Sequence, residues 1–258
     1  MTTATALLQV DRLTKRFGGL VALDRVDLTI WPREIFSLIG PNGAGKTTLF
    51  NVVAGIHPSD GGKVLFRDAD ITWRKAHDIT ALGIARTFQN IRLVPTMNVL
   101  ENVMLGTYSR TKSNLADIFF ALPRDRAERR QARERAEELL ATFGMADRRA
   151  FMPTKLPYGD QRRVEIARAL ASEPALLLLD EPSAGMNPRE MSELLDLLLQ
   201  IRETGKTIFI IEHNMRLVMN ISDRVAVLNF GTKIAEGKPA EIQTHPRVIE
   251  AYLGSKRN

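Results

Sequence analysis

The chain has no cysteine, which excludes a disulfide framework and any metal site built on thiolates. No apolar run approaches the ~18 residues that a membrane-spanning helix requires; Ala175–Leu179 is among the longest. Met1–Val10 lacks a basic start followed by an apolar stretch, so no secretory leader is expected. Repeats and low-complexity linkers are missing too. The expectation is a soluble, cytoplasmic chain. What is present is 44% hydrophobic residues, enough for a sizeable core in 258 residues. The 36 basic residues outnumber the 30 acidic ones, for a net charge of +6. That balance suits an anionic ligand, an anionic membrane face or nucleic acid.

The most informative stretch is residues 35–50. An apolar run from Ile35 to Ile39 breaks at Gly40, and Gly40-Pro41-Asn42-Gly43-Ala44-Gly45-Lys46-Thr47-Thr48 follows. A helical apolar pattern then resumes at Leu49, Phe50, Val52 and Val53. The four fixed positions of G-x-x-x-x-G-K-[ST] recur by chance in about one chain of this length per hundred, so the flanks decide. Strand, glycine-rich turn and helix are the context a phosphate loop needs. Glycines let backbone N–H groups converge on an anion, and the helix start adds partial positive charge. Lys46 suits the β- and γ-phosphates, and the Thr47 hydroxyl suits Mg²⁺.

Around this loop, residues 7–39 read as β, with Leu7–Leu13 and Val21–Ile30 joined to Ile35–Ile39 through a turn at Trp31-Pro32-Arg33. A turn at Ser59–Gly62 leads to a strand Lys63–Phe66. Next come a short helix Ala76–Leu82, a strand Ala85–Phe88 and a helix from Thr96 through Met104. Residues 107–123 are irregular. From Arg124 an amphipathic helix runs to Phe143 and stops at Gly144, with Ala132, Ala136, Leu139, Leu140 and Phe143 on one face. Its other face mixes Arg124, Arg126, Arg129, Arg130, Arg133 and Arg135 with Asp125, Glu128 and Glu134. No aromatics accompany them, so this reads as a solvated, ion-paired surface and not as a nucleic-acid patch.

A helix follows Gly159 to Ala171. Strand Ala175–Leu179 is uniformly apolar, as a strand buried on both faces must be. Asn187-Pro188-Arg189-Glu190 opens another helix with a capping Asn, Pro first and Glu third. Strand Thr207–Ile211, helix Met215–Ile221 and strand Val225–Leu228 complete the alternation, which implies a parallel sheet covered on both faces.

Asp180 and Glu181 end the buried strand Ala175–Leu179, at the sheet edge where ligands bind. Asp180 suits Mg²⁺ held through water, and Glu181 suits polarising the water that attacks a γ-phosphate. Strand Ile208–Ile211 delivers Glu212-His213. A lone His at a strand end is commonly only a hydrogen-bonded rim residue. Here its strand ends beside two that carry phosphate chemistry, which favours a γ-phosphate sensor. Gln89, after Ala85–Phe88, is a neutral group able to touch metal or attacking water.

Taken as a set, Gly40–Thr48, Gln89, Leu156-Pro157-Tyr158-Gly159-Asp160-Gln-Arg-Arg163, Leu176–Glu181, Ser183–Asn187 and His213 resemble an ATP-binding-cassette ATPase. The resemblance covers nearly the whole chain. It implies an α/β fold: a P-loop NTPase, RecA-like core with a mostly parallel sheet, an antiparallel N-terminal β part and an inserted helical lobe. As one domain over residues 7–254, the core would comprise 7–88 and 165–254 and the lobe about 90–164. It further implies a head-to-tail dimer with ATP and Mg²⁺ between one subunit's phosphate loop and the other's signature segment, residues 156–163. Tyr158, Gly159 and Asp160 are then nucleotide-contacting. Gly159 and the helix start after it form an anion site that fits this role. Phe17, just ahead of Gly18-Gly19, stands where the family places a ring stacked on adenine; ordinary strand-end packing is the other reading of it. Consistent with ATP, the Asn-Lys-x-Asp element of guanine-specific GTPases is absent.

Tyr158-Gly159, Ile84-Ala-Arg-Thr-Phe-Gln-Asn90, Glu212-His-Asn-Met215 and the tail ending Ala251-Tyr-Leu-Gly254 resemble one subfamily more closely. It is the ATPase of Liv-type importers of branched-chain amino acids, whose nearest relatives serve urea or short amides. The irregular segment lies where that subfamily carries an insertion. The resemblance implies a peripheral subunit on the cytoplasmic face of the inner membrane. Its expected partners are integral-membrane permeases, a sister ATPase or a second copy, and indirectly a periplasmic binding protein; nucleic acid is not among them. One departure stands out: Pro157 occupies a place where most cassette signatures have Ser, removing both a hydroxyl and an N–H. A soluble cassette acting on ribosomes or DNA would carry two cassettes or a long coiled-coil insertion, and neither is present. A small P-loop kinase leaves residues 156–163 and His213 unexplained.

Overall fold

The computed structural model describes residues 5–110 and 123–254, so most of the irregular segment 107–123 lies outside the described residues. Strands β1 (Leu8–Phe17) and β2 (Leu20–Ile30) form a hairpin that pairs with β4 (Gly61–Phe66) and β5 (Ala69–Asp70) in a four-stranded antiparallel sheet ordered β2-β1-β4-β5. β3 (Ile35–Ile39), β6 (Ile84–Arg86), β7 (Leu176–Asp180), β8 (Thr207–Ile211), β9 (Arg224–Asn229) and β10 (Thr232–Gly237) form a six-stranded sheet ordered β10-β9-β3-β8-β7-β6. All its neighbours are parallel except β10 on β9.

Uniform apolarity in the central strands has the physical cause expected of it. Leu176, Leu178, Phe209 and Ile211 point into one core, shared with the antiparallel sheet and with Leu49 and Phe50 of helix α1 (Lys46–Val53). The alternate residues Leu177, Leu179, Ile208 and Ile210 point into a second core on the opposite face. That second core is covered by helices α3 (Val99–Met104), α4 (Pro123–Thr142), α5 (Tyr158–Ala171) and α6 (Pro188–Glu203). The helices therefore share their apolar cluster with the sheet, and α5 joins them to it. In α4, Ala136, Leu139 and Leu140 of the expected apolar face are buried and Ala132 is half-buried, while Asp125 is also buried and is ion-paired to Arg129.

Several boundaries move. The helix expected from Thr96 begins only at Val99, because Asn98 caps it in a reciprocal capping box with Glu101. The strand expected over Ala85–Phe88 spans Ile84–Arg86. Helix α2 (Ala76–Leu82), β3, β8 and helix α7 (Met215–Ile221) have the bounds read from sequence. Sequence reading stopped at Leu228 and so missed β10 and two C-terminal helices, α8 (Pro239–Thr244) and α9 (Pro246–Gly254). These pack against Ile39, Val225 and Val227 through Ile242, Val248 and Tyr252.

Candidate functional site

Strand register assembles the site. Leu38 of β3 lies beside Ile211 of β8, which lies beside Asp180 of β7. Gly40, Glu181 and Glu212-His213 therefore leave the sheet along one edge, and Thr87–Gln89 leave β6 beside them. This is the carboxyl edge, where parallel sheets bind ligands.

The loop from Gly40 to Lys46 is shaped by close approach. A Cβ on Gly40 would lie 2.1 Å from the Leu228 carbonyl oxygen, and one on Gly45 would lie 2.4 Å from that of Ala22. Gly45 also takes φ 99°, in the left-handed region. Helix α1 starts there with no side-chain cap, so its first N–H groups stay available to an anion. The Lys46 ammonium is buried and donates to the carbonyls of Gly40 at 2.7 Å and Pro41 at 2.9 Å. Burial holds it below its ordinary pKa, opposed by the charges of Glu181 and Asp180. Thr47, Asn42 and Gly43 are exposed, Pro41, Gly45 and Thr48 half-buried, and Ala44 buried.

The acids differ sharply. Asp180 is 2% exposed and ion-paired at 2.8 Å to Arg86, whose other nitrogen donates to Asn51 of α1 at 2.7 Å. Burial pushes the Asp180 carboxyl up, and Arg86 opposes that shift. Glu181 adopts φ +46°, unusual for a residue with a side chain, as its amide donates to the Ile211 carbonyl at 2.9 Å. Its two carboxylate oxygens have separate partners. Oε1 lies 2.7 Å from His213 Nε2, and Oε2 accepts the Gln89 amide N–H at 2.9 Å. With its nitrogen so engaged, Gln89 keeps its carbonyl oxygen, the atom a hard cation takes.

Three residues that sequence reading missed hold this arrangement. Arg86 fixes Asp180. Buried Glu212 accepts the Ser183 N–H through Oε1 and the His213 and Asn214 N–H groups through Oε2, at 2.9, 3.0 and 3.1 Å, tying two loops together. Tyr252, from the tail motif, packs beside Ile39, the last residue before the Gly40 loop. Glu212 had a physical signal in the sequence, a carboxylate at the end of a buried strand, whereas Arg86 and Tyr252 stood there only as members of motifs.

Phe17 ends β1 with its ring 44% exposed and braced edge-on by His57 at 5.5 Å between centroids. Lys15 lies 5.3 Å from the same ring. An open aromatic face of this kind can stack on a planar base. Tyr158, Gly159 and Asp160 form the first turn of α5. Pro157 is the N-cap of that helix and gives it no side-chain cap. Gly159 abuts Glu190, and Asp160 is ion-paired to Arg148. Among the described residues, no cluster of three or more His, Cys, Asp or Glu could hold a metal alone. A cation here would need phosphate and water oxygens to complete its shell, as Mg²⁺ commonly has.

Comparison with known proteins agrees with this geometry. A family profile described as ABC transporter matches residues 23–184, and one described as branched-chain amino acid ATP-binding cassette transporter matches residues 232–257. The Escherichia coli high-affinity branched-chain amino acid transport ATP-binding protein LivG is 44% identical over 96% of this chain and 98% of its own length. BraF of Pseudomonas aeruginosa, named for the same transport, is 41% identical over the same shares. A nucleotide-free ATP-binding cassette from an ABC transporter superposes with a TM-score of 0.85 at 32% identity, covering 96% of this chain and 99% of its own. A cassette solved in its ADP conformation also gives 0.85 at 32% identity, over 97% and 99%.

Proposed function

The chain belongs to the ATP-binding-cassette transporter family as an ATPase subunit, and from that premise we propose how it works and what it serves. ATP binds with its phosphates on the Gly40–Thr48 loop and its base against Phe17. Thr47, Asp180 and the Gln89 side-chain oxygen fit Mg²⁺ by donor chemistry, and when bound it would neutralise charge on the β- and γ-phosphates. Glu181 accepts a proton from water as the water oxygen attacks the γ-phosphorus, and ADP leaves as inorganic phosphate forms. His213 and Gln89 hold the Glu181 carboxylate in place, and His213 senses the γ-phosphate. The observation that carries this reading is the Glu181 carboxylate held between Gln89 and His213 on the sheet edge of Lys46.

The subunit pairs head to tail with a sister ATPase or a second copy, so that Tyr158, Gly159 and Asp160 face the partner's nucleotide. The lobe of about residues 90–164 moves against a core of 7–88 and 165–254, and drives permeases from the cytoplasmic face of the membrane. No helix among the described residues is long and apolar enough to cross that membrane, which fits a peripheral subunit. The cargo is a branched-chain amino acid delivered by a periplasmic binding protein; the match at residues 232–257 and the names of the relatives support this. The test is uptake of labelled leucine, isoleucine and valine by the intact transporter, with parental chain or Glu181→Gln. The expected result is uptake of these amino acids that disappears in the variant. Uptake of urea or a short amide instead would overturn the cargo assignment.

A further inference from the structure

Arg162 is fully buried in α5, one turn beyond Tyr158. Its guanidinium spans two segments far apart in sequence. One terminal nitrogen donates to the Phe88 carbonyl at 2.7 Å and to Glu165 Oε2 at 2.6 Å. The other donates to the Gln89 carbonyl at 2.8 Å and to the Tyr158 hydroxyl at 3.2 Å. Glu165 is buried too, and its Oε1 accepts the Arg92 N–H at 3.4 Å. One buried pair thus fastens the backbone of residues 88–92 to the first turn of α5.

A buried ion pair is weak evidence of stabilisation, because well-packed apolar residues serve a core as well or better. What apolar residues cannot do is grip two carbonyls and a hydroxyl with one rigid fork, and neither can lysine. Both ends of this grip matter. The side chain of Gln89 touches Glu181, in this chain's own site. Tyr158 is 39% exposed, in the segment that faces the partner's nucleotide if the proposed dimer holds. We propose that Arg162, held by Glu165, couples the two nucleotide sites by linking Tyr158 to the backbone of Gln89. Nucleotide on the partner's phosphate loop shifts Tyr158, and Arg162 carries that shift to residues 88–92 and so to the Gln89–Glu181 contact. Arg162 is a positioning residue that touches no substrate.

This rests on the head-to-tail reading, and the experiment separates the two. In an intact transporter in which only one of the two ATPases, this chain, carries Lys46→Ala, nucleotide occupies only the partner's phosphate loop. Hydrogen exchange of amides 88–92 is measured with and without a slowly hydrolysed ATP analogue, and crosslinking of the two ATPases is read in the same samples. The expected result is exchange slowed about 5-fold or more by the analogue, the lower end of ordinary allosteric coupling. Adding Arg162→Lys, or the gentler Tyr158→Phe that deletes one hydroxyl, should reduce this to less than about 2-fold while analogue-driven crosslinking persists. Three outcomes overturn the coupling alone: no protection in the Lys46→Ala chain, full protection in both variants, or exchange raised equally with and without analogue. Crosslinking that never responds to the analogue overturns the head-to-tail reading as well.

Discussion

His213 Nε2 lies 2.7 Å from Glu181 Oε1, across the ends of two neighbouring parallel strands. The contact exists because Glu181 takes a left-handed backbone turn as it leaves β7, and because Glu212 clamps the His213 and Asn214 amides at the end of β8. A hydrogen bond to a charged group is worth about 1.5–3 kcal/mol. His213→Ala should therefore lower kcat by about 10- to 150-fold if the contact acts wholly in the transition state. KM for ATP should change little, because Phe17, Lys46 and the loop glycines remain. Steady-state ATPase kinetics check this, and a kcat unchanged by the substitution would reduce His213 to a rim residue.

Lys46 links function to a stability cost. Its folded-state pKa lies below the ordinary value, so the buried ammonium opposes folding at neutral pH when nucleotide is absent. That cost fades as pH rises through the window between the depressed value and the ordinary one near ~10.4. Lys46→Met should therefore raise the nucleotide-free melting temperature near pH ~7, with the advantage shrinking toward pH ~10. It should also abolish the stabilisation that ATP gives the parental chain. Thermal melts at both pH values, with and without ATP, test each half.

Pro157 leaves α5 without a side-chain cap, at a φ of −54° and ψ of 155° that serine also adopts. Pro157→Ser should add a cap worth about 0.5–2 kcal/mol. It should also offer a hydroxyl to the partner's γ-phosphate, speeding turnover there by up to about 10- to 150-fold. The Lys46 site should be unaffected. The rate is measured in a dimer whose own Lys46 site is silenced by Glu181→Gln. A gain in melting temperature without a gain in rate would make Pro157 a backbone choice only.

The permease should meet residues 92–101, next to the Gln89 contact. Arg92, Pro95, Thr96 and Glu101 are exposed there, and the chain has no native cysteine to confuse a crosslink. Single cysteines at these positions should form disulfides with cysteines in a co-expressed permease. A functional complex giving none would place the interface elsewhere.

Much of this was legible in the sequence, for identifiable reasons. The sheet strands were plain because a strand buried on both faces must be apolar throughout, as Leu176–Leu179 and Ile208–Ile211 are. Asp180, Glu181 and His213 stood out as candidates because they lie at or just past the ends of such strands, and Lys46 because it closes the G-x-x-x-x-G-K-T loop after β3. Arg86 and Arg162 did not, because their value lies in partners that are distant in sequence: Asp180 is 94 positions from Arg86, and Phe88 is 74 from Arg162. No periodicity or spacing encodes such pairs. Tyr252 was seen only as part of a tail motif, since its place beside Ile39 depends on α8 and α9, which were not foreseen. The late start of α3 turned on a local choice, the capping box of Asn98 and Glu101 two residues past Thr96.

Everything proposed for this subunit turns on Glu181 as the base for hydrolysis of ATP bound at the Gly40–Thr48 loop. The most direct measurement is ATP turnover and ATP affinity of Glu181→Gln beside the parental chain, both with Mg²⁺. An amide keeps the shape and the hydrogen bond to His213, but it cannot accept a proton from water. The expected result is unchanged ATP binding, ATP-stabilised association of the ATPase pair, and turnover reduced by at least about 100-fold. Turnover at the parental rate would contradict it.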